Sequence, residues 1–362
     1  MLLIGLNDTV HRACRACDGY PFVNGTLPRV IGMNNKTPGA GGSSPAKLAT
    51  PRRTPGHHYL RFLRRTRALA PLRTAVVHPV DALSLGGAIE AAKAKLIVPV
   101  LVGPEPRIRA AARQAAVDLA AYECVWTEHS HAAAAEAVAL AAEHKVEALM
   151  KGSLHTDEFM GAVVAEPRLR TARRMSHVFV IDAPAYPRPL LVSDAAVNIY
   201  PTLEDKADIV QNAVGLAHAL GIKMPRVAIL SATETVSPRI KSTLDAAVLC
   251  KMAERGQITG GILDGPLAFD NAVSFEAARA KGIRSPVAGR ADIFIVPDLE
   301  AGNMLAKQLE YLAGAQIAGI VLGARVPIIL TSRADKTLSR LGSCAIALLL
   351  ARRSVGRHHT AR

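Results

Sequence analysis

Ile258–Leu350 reads ITGGILDGPLAFDNAVSFEAARAKGIRSPVAGRADIFIVPDLEAGNMLAKQLEYLAGAQIAGIVLGARVPIILTSRADKTLSRLGSCAIALLL. Short apolar runs alternate in it with polar, glycine-marked turns and with segments of helix length. The last strand candidate, Pro327-Ile328-Ile329-Leu330, delivers Thr331, Ser332, Arg333 and Asp335, so hydroxyls, a fixed cation and a carboxylate follow one strand end. In an open parallel sheet, ligands bind outside the carboxyl ends of the strands. This cluster therefore stands where chemistry is expected.

The same pattern extends upstream to Leu72. TAVVHPV, LIVPVLVG, VEALMKG, HVFVIDA, LLVSDAA, RVAILSA, GGILDG, DIFIVPD, AGIVLGA and PIILTS read as short, continuously apolar strands, and helical segments separate most of them. Strands without polar alternation belong to sheets covered on both faces, and strands alternating with helices belong to parallel sheets. The expected class is α/β with mostly parallel sheets. One helix can be argued in detail. Pro201 suits its first turn, Glu204 and Asp205 favour its positive amino end, Leu203, Ala207, Val210, Val214 and Ala217 recur at helical spacing, and Gly221 ends it.

Half of the 362 residues are hydrophobic, enough for a large core and two domains, and with 4% aromatics that core is mostly Ala, Val, Ile and Leu. The formal charge of +14 is confined to the ends: residues 1–73 carry +10, residues 352–362 carry +4, and residues 74–351 hold twenty-eight charges of each sign. A nucleic-acid partner would need a basic patch on the fold itself, so none is expected. Residues 1–60, rich in Gly, Pro, Asn, Ser and Arg, read as a disordered basic tail, and residues 353–362 as a second one. The five cysteines show no disulfide framework, and Cys14-x-x-Cys17 lacks a second ligand pair, so no metal is expected. The start MLLIGLND has no basic signal-peptide region, and no run reaches the ~18 to 20 apolar residues of a membrane span. A cytoplasmic protein without a membrane partner follows.

Four motifs in order, GPLAFDNAVS (265–274), SPVAG (285–289), PDLEAGN (297–303) and ILTSRAD (329–335), resemble the phosphate acetyltransferase and phosphate butyryltransferase family. MKGSLHTDEFMGAVV (150–164), LRTARRMSHVFVIDAP (169–184) and LLVSDAAVNIYP (190–201) extend the resemblance over about 72–351. It is strongest to the branch fused to an enoyl-CoA hydratase domain, although no hydratase domain is recognisable here. The resemblance implies a two-domain architecture similar to isocitrate and isopropylmalate dehydrogenases, with residues 61–173 plus 326–352 as domain one, 174–325 as domain two, an interdomain cleft, and a homodimer. It implies exchange of a short acyl group between coenzyme A and phosphate, with CoA, acyl-CoA, phosphate and acyl phosphate as substrates and no cofactor.

Such a transfer passes through an anionic tetrahedral intermediate, and it needs a cation for phosphate, a donor for the oxyanion and help in deprotonating the thiol. By resemblance, Arg333 is the phosphate ligand and Ser332 the donor; Asp335, close by in sequence, is the substitute candidate for the base. The carboxylate that the family's acetyltransferases carry further on falls at Ser339 here, so Asp270 and Asp298 stay open as alternative bases. A second departure is Gly161, where related sequences often carry Arg; Arg173 or Arg174 could restore that grip, with Arg168 and Arg170 nearby. Ser153 and Thr156, beside Lys151, could bind phosphate, and Asn303 and Lys307 fall where the family contacts CoA or builds the cleft. Two other classes remain open: a nicotinamide- and metal-dependent dehydrogenase of related architecture, against which the chain has no G-x-G-x-x-G turn after its first strand, and a non-catalytic CoA-binding protein.

Overall fold

Eleven strands line up side by side in a single sheet in a computed structural model, which describes residue 54, residues 56–330 and residues 336–359, with side chains through 353. The first half of the chain gives α1 (His57–Thr66), β1 (Leu72–Val77), α2 (Ala82–Lys93), β2 (Ile97–Gly103), α3 (Glu105–Ala115), β3 (Glu123–Trp126), α4 (Ser130–Ala142), β4 (Ala148–Lys151), α5 (Thr156–Ala165) and β5 (Ser176–Asp182). The second half gives β6 (Leu190–Ser193), α6 (Leu203–Ala219), β7 (Arg226–Leu230), α7 (Lys241–Glu254), β8 (Ile262–Leu267), α8 (Phe269–Val273) and α9 (Phe275–Ala280). β9 (Ile293–Ile295), α10 (Leu299–Tyr311), β10 (Gln316–Leu322), β11 (Ile328–Leu330) and α11 (Thr337–His359) complete it.

The strand order is β3-β2-β1-β4-β11-β10-β5-β6-β9-β7-β8. Pairing is parallel from β3 to β11 and from β6 to β8, and antiparallel where β11, β10, β5 and β6 adjoin. All ten strands expected from apolar runs are present. The edge strand β3 is the addition; its sequence, Glu-Cys-Val-Trp, is at best half-buried and so carries no continuous apolar signal.

Successive side chains enter opposite layers, as strand geometry requires. Val76 of β1 joins a core with α1, α2, α6 and α11, whereas Ala75 and Val77 join one with α4 and α5. The first of these layers is undivided and runs under both halves of the sheet. The opposite layer is split: Val321 and Ile328 pack with α4 and α5, while Ile317 and Ile181 pack with α8, α9 and α10. The seam between them crosses β10 and β5 near His177, whose register partner is Val321.

Two local expectations change. Residues 57–60, read as tail, open α1; Tyr59 and Phe62 are fully buried, and the Tyr59 hydroxyl donates to the carbonyls of Val180 (2.5 Å) and Gln316 (3.0 Å). The helix is short and its buried face, His58, Tyr59, Phe62 and Thr66, straddles residue 60 at the end of the basic tail, which is why its first turn merged with the tail. Pro201 lies just outside α6, because Thr202 is the cap: its hydroxyl accepts from Asp205 N while the Asp205 carboxylate accepts from Thr202 N. Tyr59→Phe keeps the ring and loses both hydrogen bonds, so it is expected to lower stability by about 1 kcal/mol, seen as a lower denaturation midpoint at an unchanged slope.

Candidate functional site

β1 is flanked by β2 on one side and β4 on the other, so the chain reverses its direction of progress across the sheet between β1 and β4. Such a switch point is the ligand crevice of open α/β sheets. His78 follows β1, and Gly152-Ser153 follow β4. Gly152 N donates to the Val77 carbonyl (2.9 Å) and Ser153 N to the His78 carbonyl (2.9 Å). A Cβ on Gly152 would collide with the Val77 carbonyl, so the two strand ends can approach this closely only at glycine.

His78 has a left-handed backbone (φ 56°), and its Nδ1 lies 2.9 Å from the Ser153 carbonyl. Its Nε2 faces Arg107 Nη1 at 3.5 Å. Burial lowers its pKa, the Ser153 bond opposes this and Arg107 adds to it, so the neutral ring donates from Nδ1. Burial pushes the Asp81 carboxyl up, but hydrogen bonds from Ser153 and Ser84 outweigh that and leave it below its ordinary value. Ser153 is thus held between His78 and Asp81. Thr156 opens α5, whose cap residue, His155, makes no side-chain cap bond. β11 runs parallel to β4, with Ile329 opposite Met150, so its last residue, Leu330, lies beside Lys151 at this same edge. Thr331, Ser332, Arg333 and Asp335 lie outside the described residues.

About 7.5 Å along α5 from Thr156, Gly161 lines a cavity of about 480 Å³ together with Arg170, Arg173, Arg174 and Asn198. The space where a Gly161 side chain would start is open. The three arginines are not equivalent. Arg170 spends its guanidinium on the Val164 carbonyl (Nη2 2.8 Å). Arg174 is a tie: its Nε donates to Asn198 Oδ1 (2.8 Å), its Nη1 lies 3.5 Å from Asp205, and its backbone N donates to Asp208 (2.8 Å). The Arg173 guanidinium has no hydrogen-bond or ion-pair partner among the described residues; only its backbone is engaged, its N donating to Thr171 Oγ1 (3.1 Å) and its carbonyl accepting from the same hydroxyl (3.4 Å). Arg168 pairs with Glu166 away from this wall.

Behind the cavity, the turn after β6 is organised by Asp194. Its Oδ1 accepts from Ala196 N and Val197 N, and its Oδ2 from His177 N and the Asn198 side chain (2.6 Å). Asn303 braces the same turn by donating to the Ala195 carbonyl (3.2 Å), and a Cβ on Gly302 would stand 2.7 Å from the Asp194 carbonyl. Asn303 therefore supports the wall that holds Arg174. Lys307, one turn further along α10, pairs with Glu310 (2.9 Å) and lies over Tyr311. The alternative bases are occupied: Asp298 caps α10 through Ala301 N, and Asp270 pairs with Lys281. Ser339 is buried, its hydroxyl 3.5 Å from Gln316 Oε1.

Asp194 and His78 escaped the sequence reading, and His177, isolated in sequence, reads there as a structural or exposed residue. Each sits at the end of a strand and looks like ordinary strand sequence; only the Ser-Asp step after LLV hinted at a turn. His177 is fully buried, and its Nδ1 has no hydrogen-bond partner among the described residues. Burial pushes its pKa down to about 4, against the opposing pull of Asp194. In the unfolded chain the ring binds a proton near pH 6.5, so between about 6.5 and 4 the unfolded state holds more protons. Stability present at neutral pH is accordingly lost as pH falls through that window. His177→Gln is expected to flatten the dependence of the urea midpoint on pH between 7 and 4.5; an unchanged slope would assign acid sensitivity to other groups.

Residues 131–348 match the family model described as "Phosphate acetyl/butaryl transferase". A phosphate acetyltransferase of Rhizobium meliloti is 62% identical over 296 residues, covering 82% of this chain and 94% of that protein. The chain belongs to this family. A phosphate butyryltransferase of Clostridium beijerinckii is 40% identical over 294 residues, 81% of this chain and 97% of that one. A crystal structure of a branched-chain phosphotransacylase from Enterococcus faecalis V583 superposes with a TM-score of 0.67 at 28% identity, covering 77% of this chain and 99% of that one. Family membership sets aside the dehydrogenase reading.

Proposed function

We propose that the protein is a phosphate acetyltransferase, interconverting acetyl-CoA and phosphate with acetyl phosphate and CoA. The observation that carries this is the 62% identity to an acetyltransferase over 94% of that relative's length. In the direction of thioester synthesis, the CoA thiolate attacks the acyl carbon of acetyl phosphate, a tetrahedral oxyanion forms, and the carbon–oxygen bond to phosphate breaks as the carbonyl re-forms. Arg333 grips the phosphate and Ser332 donates to the oxyanion, roles that rest on sequence resemblance, and Asp335, two residues beyond Arg333, takes the thiol proton in place of the family's carboxylate. Ser153 and Thr156, at the switch point, bind phosphate oxygens. The chemistry as written requires no metal or redox cofactor.

In this reading, Arg173 supplies the cation that Gly161 lacks, since its guanidinium is uncommitted and the space beside Gly161 is open. Arg174, Asn303 and the Asp194 turn hold that wall in place. Arg173→Ala is expected to raise KM for phosphate about tenfold, the worth of one exposed charge-assisted contact, with kcat less affected. An unchanged KM would leave Arg173 as a surface residue.

The split core layer supports two lobes, 61–173 plus 326–352 and 174–325, with the substrate cleft over the seam. Exposed Leu244 and Val248, one turn apart on α7, and Tyr200 suit a homodimer contact. No described helix is long and apolar enough to cross a membrane, and cytoplasmic substrates suit a cytoplasmic enzyme. The deciding assay incubates purified protein with acetyl phosphate and CoA without added metal and follows thioester absorbance. The cavity beside Gly161 has apolar walls in Met160, Val164 and Val197, which favours testing longer chains as well. A panel from acetyl to valeryl phosphate separates the acetyl from the butyryl reading, and failure of every donor would leave a CoA-binding protein.

A further inference from the structure

On the other side of Arg173 lies a second concavity, of about 450 Å³, between the carboxyl-terminal part of α6, the end of α11 and the loops at the base of β4 and β11. Its charge is one-sided. Arg173, Arg325, Arg352 and Arg353 line it against a single carboxylate, Glu147. Glu147 is already taken: Arg352 reaches both its oxygens, and Arg73 N donates to it as well.

Two of these cations are presented by a rigid frame. Arg325 N donates to the Leu169 carbonyl (2.9 Å), Thr171 Oγ1 donates to the Gly323 carbonyl (2.6 Å), and Arg170 bridges Ala324 in antiparallel fashion. This short ladder sets Arg173 and Arg325 on one wall, and neither guanidinium has a partner among the described residues. The lining also includes apolar Val146, Leu216, Leu322 and Val326. A neighbouring hollow of about 640 Å³ shares Arg352 and Arg353 and adds Lys223, also unpartnered among the described residues. A site of this size suits a small molecule, and two arginines on one wall, Arg173 and Arg325, without a partner among the described residues, suit a multiply charged anion.

We propose that this concavity binds a multivalent small anion, a polyphosphate or a polycarboxylate, gripped by Arg173 and Arg325. The inference shares Arg173 with the acyl-transfer reading but is tested at Arg325, which lies outside the residues assigned to that reading, so the two can fail separately. Inorganic pyrophosphate and citrate are the two probes, titrated calorimetrically into the full chain at constant ionic strength. Saturable binding of at least one is expected, and the tighter arm identifies the chemistry. Arg325→Ala should weaken that binding about ten- to a hundredfold while acetyl transfer stays at the parental rate; Arg325→Lys should recover part of it, since the charge remains but the planar fork does not. Saturable binding of neither probe overturns the proposal. So does binding of equal strength in Arg325→Ala, which would assign the anion to the cavity beside Gly161.

Discussion

Arg333→Ala is expected to lower kcat/KM for acetyl transfer ten- to a hundredfold or more. Hydrogen bonds to an ionised partner contribute about 1.5 to 3 kcal/mol, and the substitution removes a fixed cation from phosphate. Arg333→Lys should recover only part of the loss, because an ammonium cannot offer two parallel N–H groups to two phosphate oxygens. Ser332→Ala should act mainly on turnover: a donor that meets the oxyanion is used in the transition state, and losing one costs on the order of a hundredfold or more. Steady-state kinetics with acetyl phosphate and CoA, alongside melting curves to show that the variants fold, provide the check. Near-parental kinetics in both alanine variants would remove the site from this strand end and move the search to Arg173.

Lys206→Met is expected to cost about 3 to 5 kcal/mol of folding stability, the usual loss when one member of a buried ion pair is deleted. Lys206 Nζ stands 2.6 Å from Asp245 Oδ2, and the two side chains, only 5% and 9% exposed, tie α6 to α7. Without the ammonium, a carboxylate is left buried beside an apolar layer. The double variant Lys206→Met/Asp245→Leu should regain most of the loss, since the desolvation penalty of both charges disappears together. Denaturant midpoints of the three proteins decide: an additive double variant would show that the pair is not coupled.

The apolar strands were legible because burial on both faces leaves an unbroken hydrophobic run, a signal that β3 at the sheet edge lacks. α6 could be placed to within two residues because its acidic first turn and its apolar stripe agree, while its cap, Thr202, was not read. The strand directions around β5 and β10 were not legible; no residue marks a strand as antiparallel when both of its neighbours are buried. For the site, sequence could nominate Ser153, Thr156, Arg173, Arg174 and Asn303 but could not rank them. Uncommitted Arg173 and braced Arg174 differ only in what surrounds them: Asn198, Asp205 and Asp208 belong to segments 24 to 34 residues further along the chain. Lys206 was hidden for the same reason, since its partner lies 39 residues away and a lysine in the first turns of a helix normally faces water.

The position of α1 bears on how the chain matures as it is synthesised. Tyr59, near the start of the described residues, is satisfied by the Val180 and Gln316 carbonyls, 121 and 257 residues later, and its ring packs beside Gly342 of α11. Contacts of such long range close late, because the loop entropy must be overcome before they form. On the ribosome, α1 has no completed surface to settle on until α11 follows it, and through that interval its basic face and its two aromatic residues remain open to other proteins.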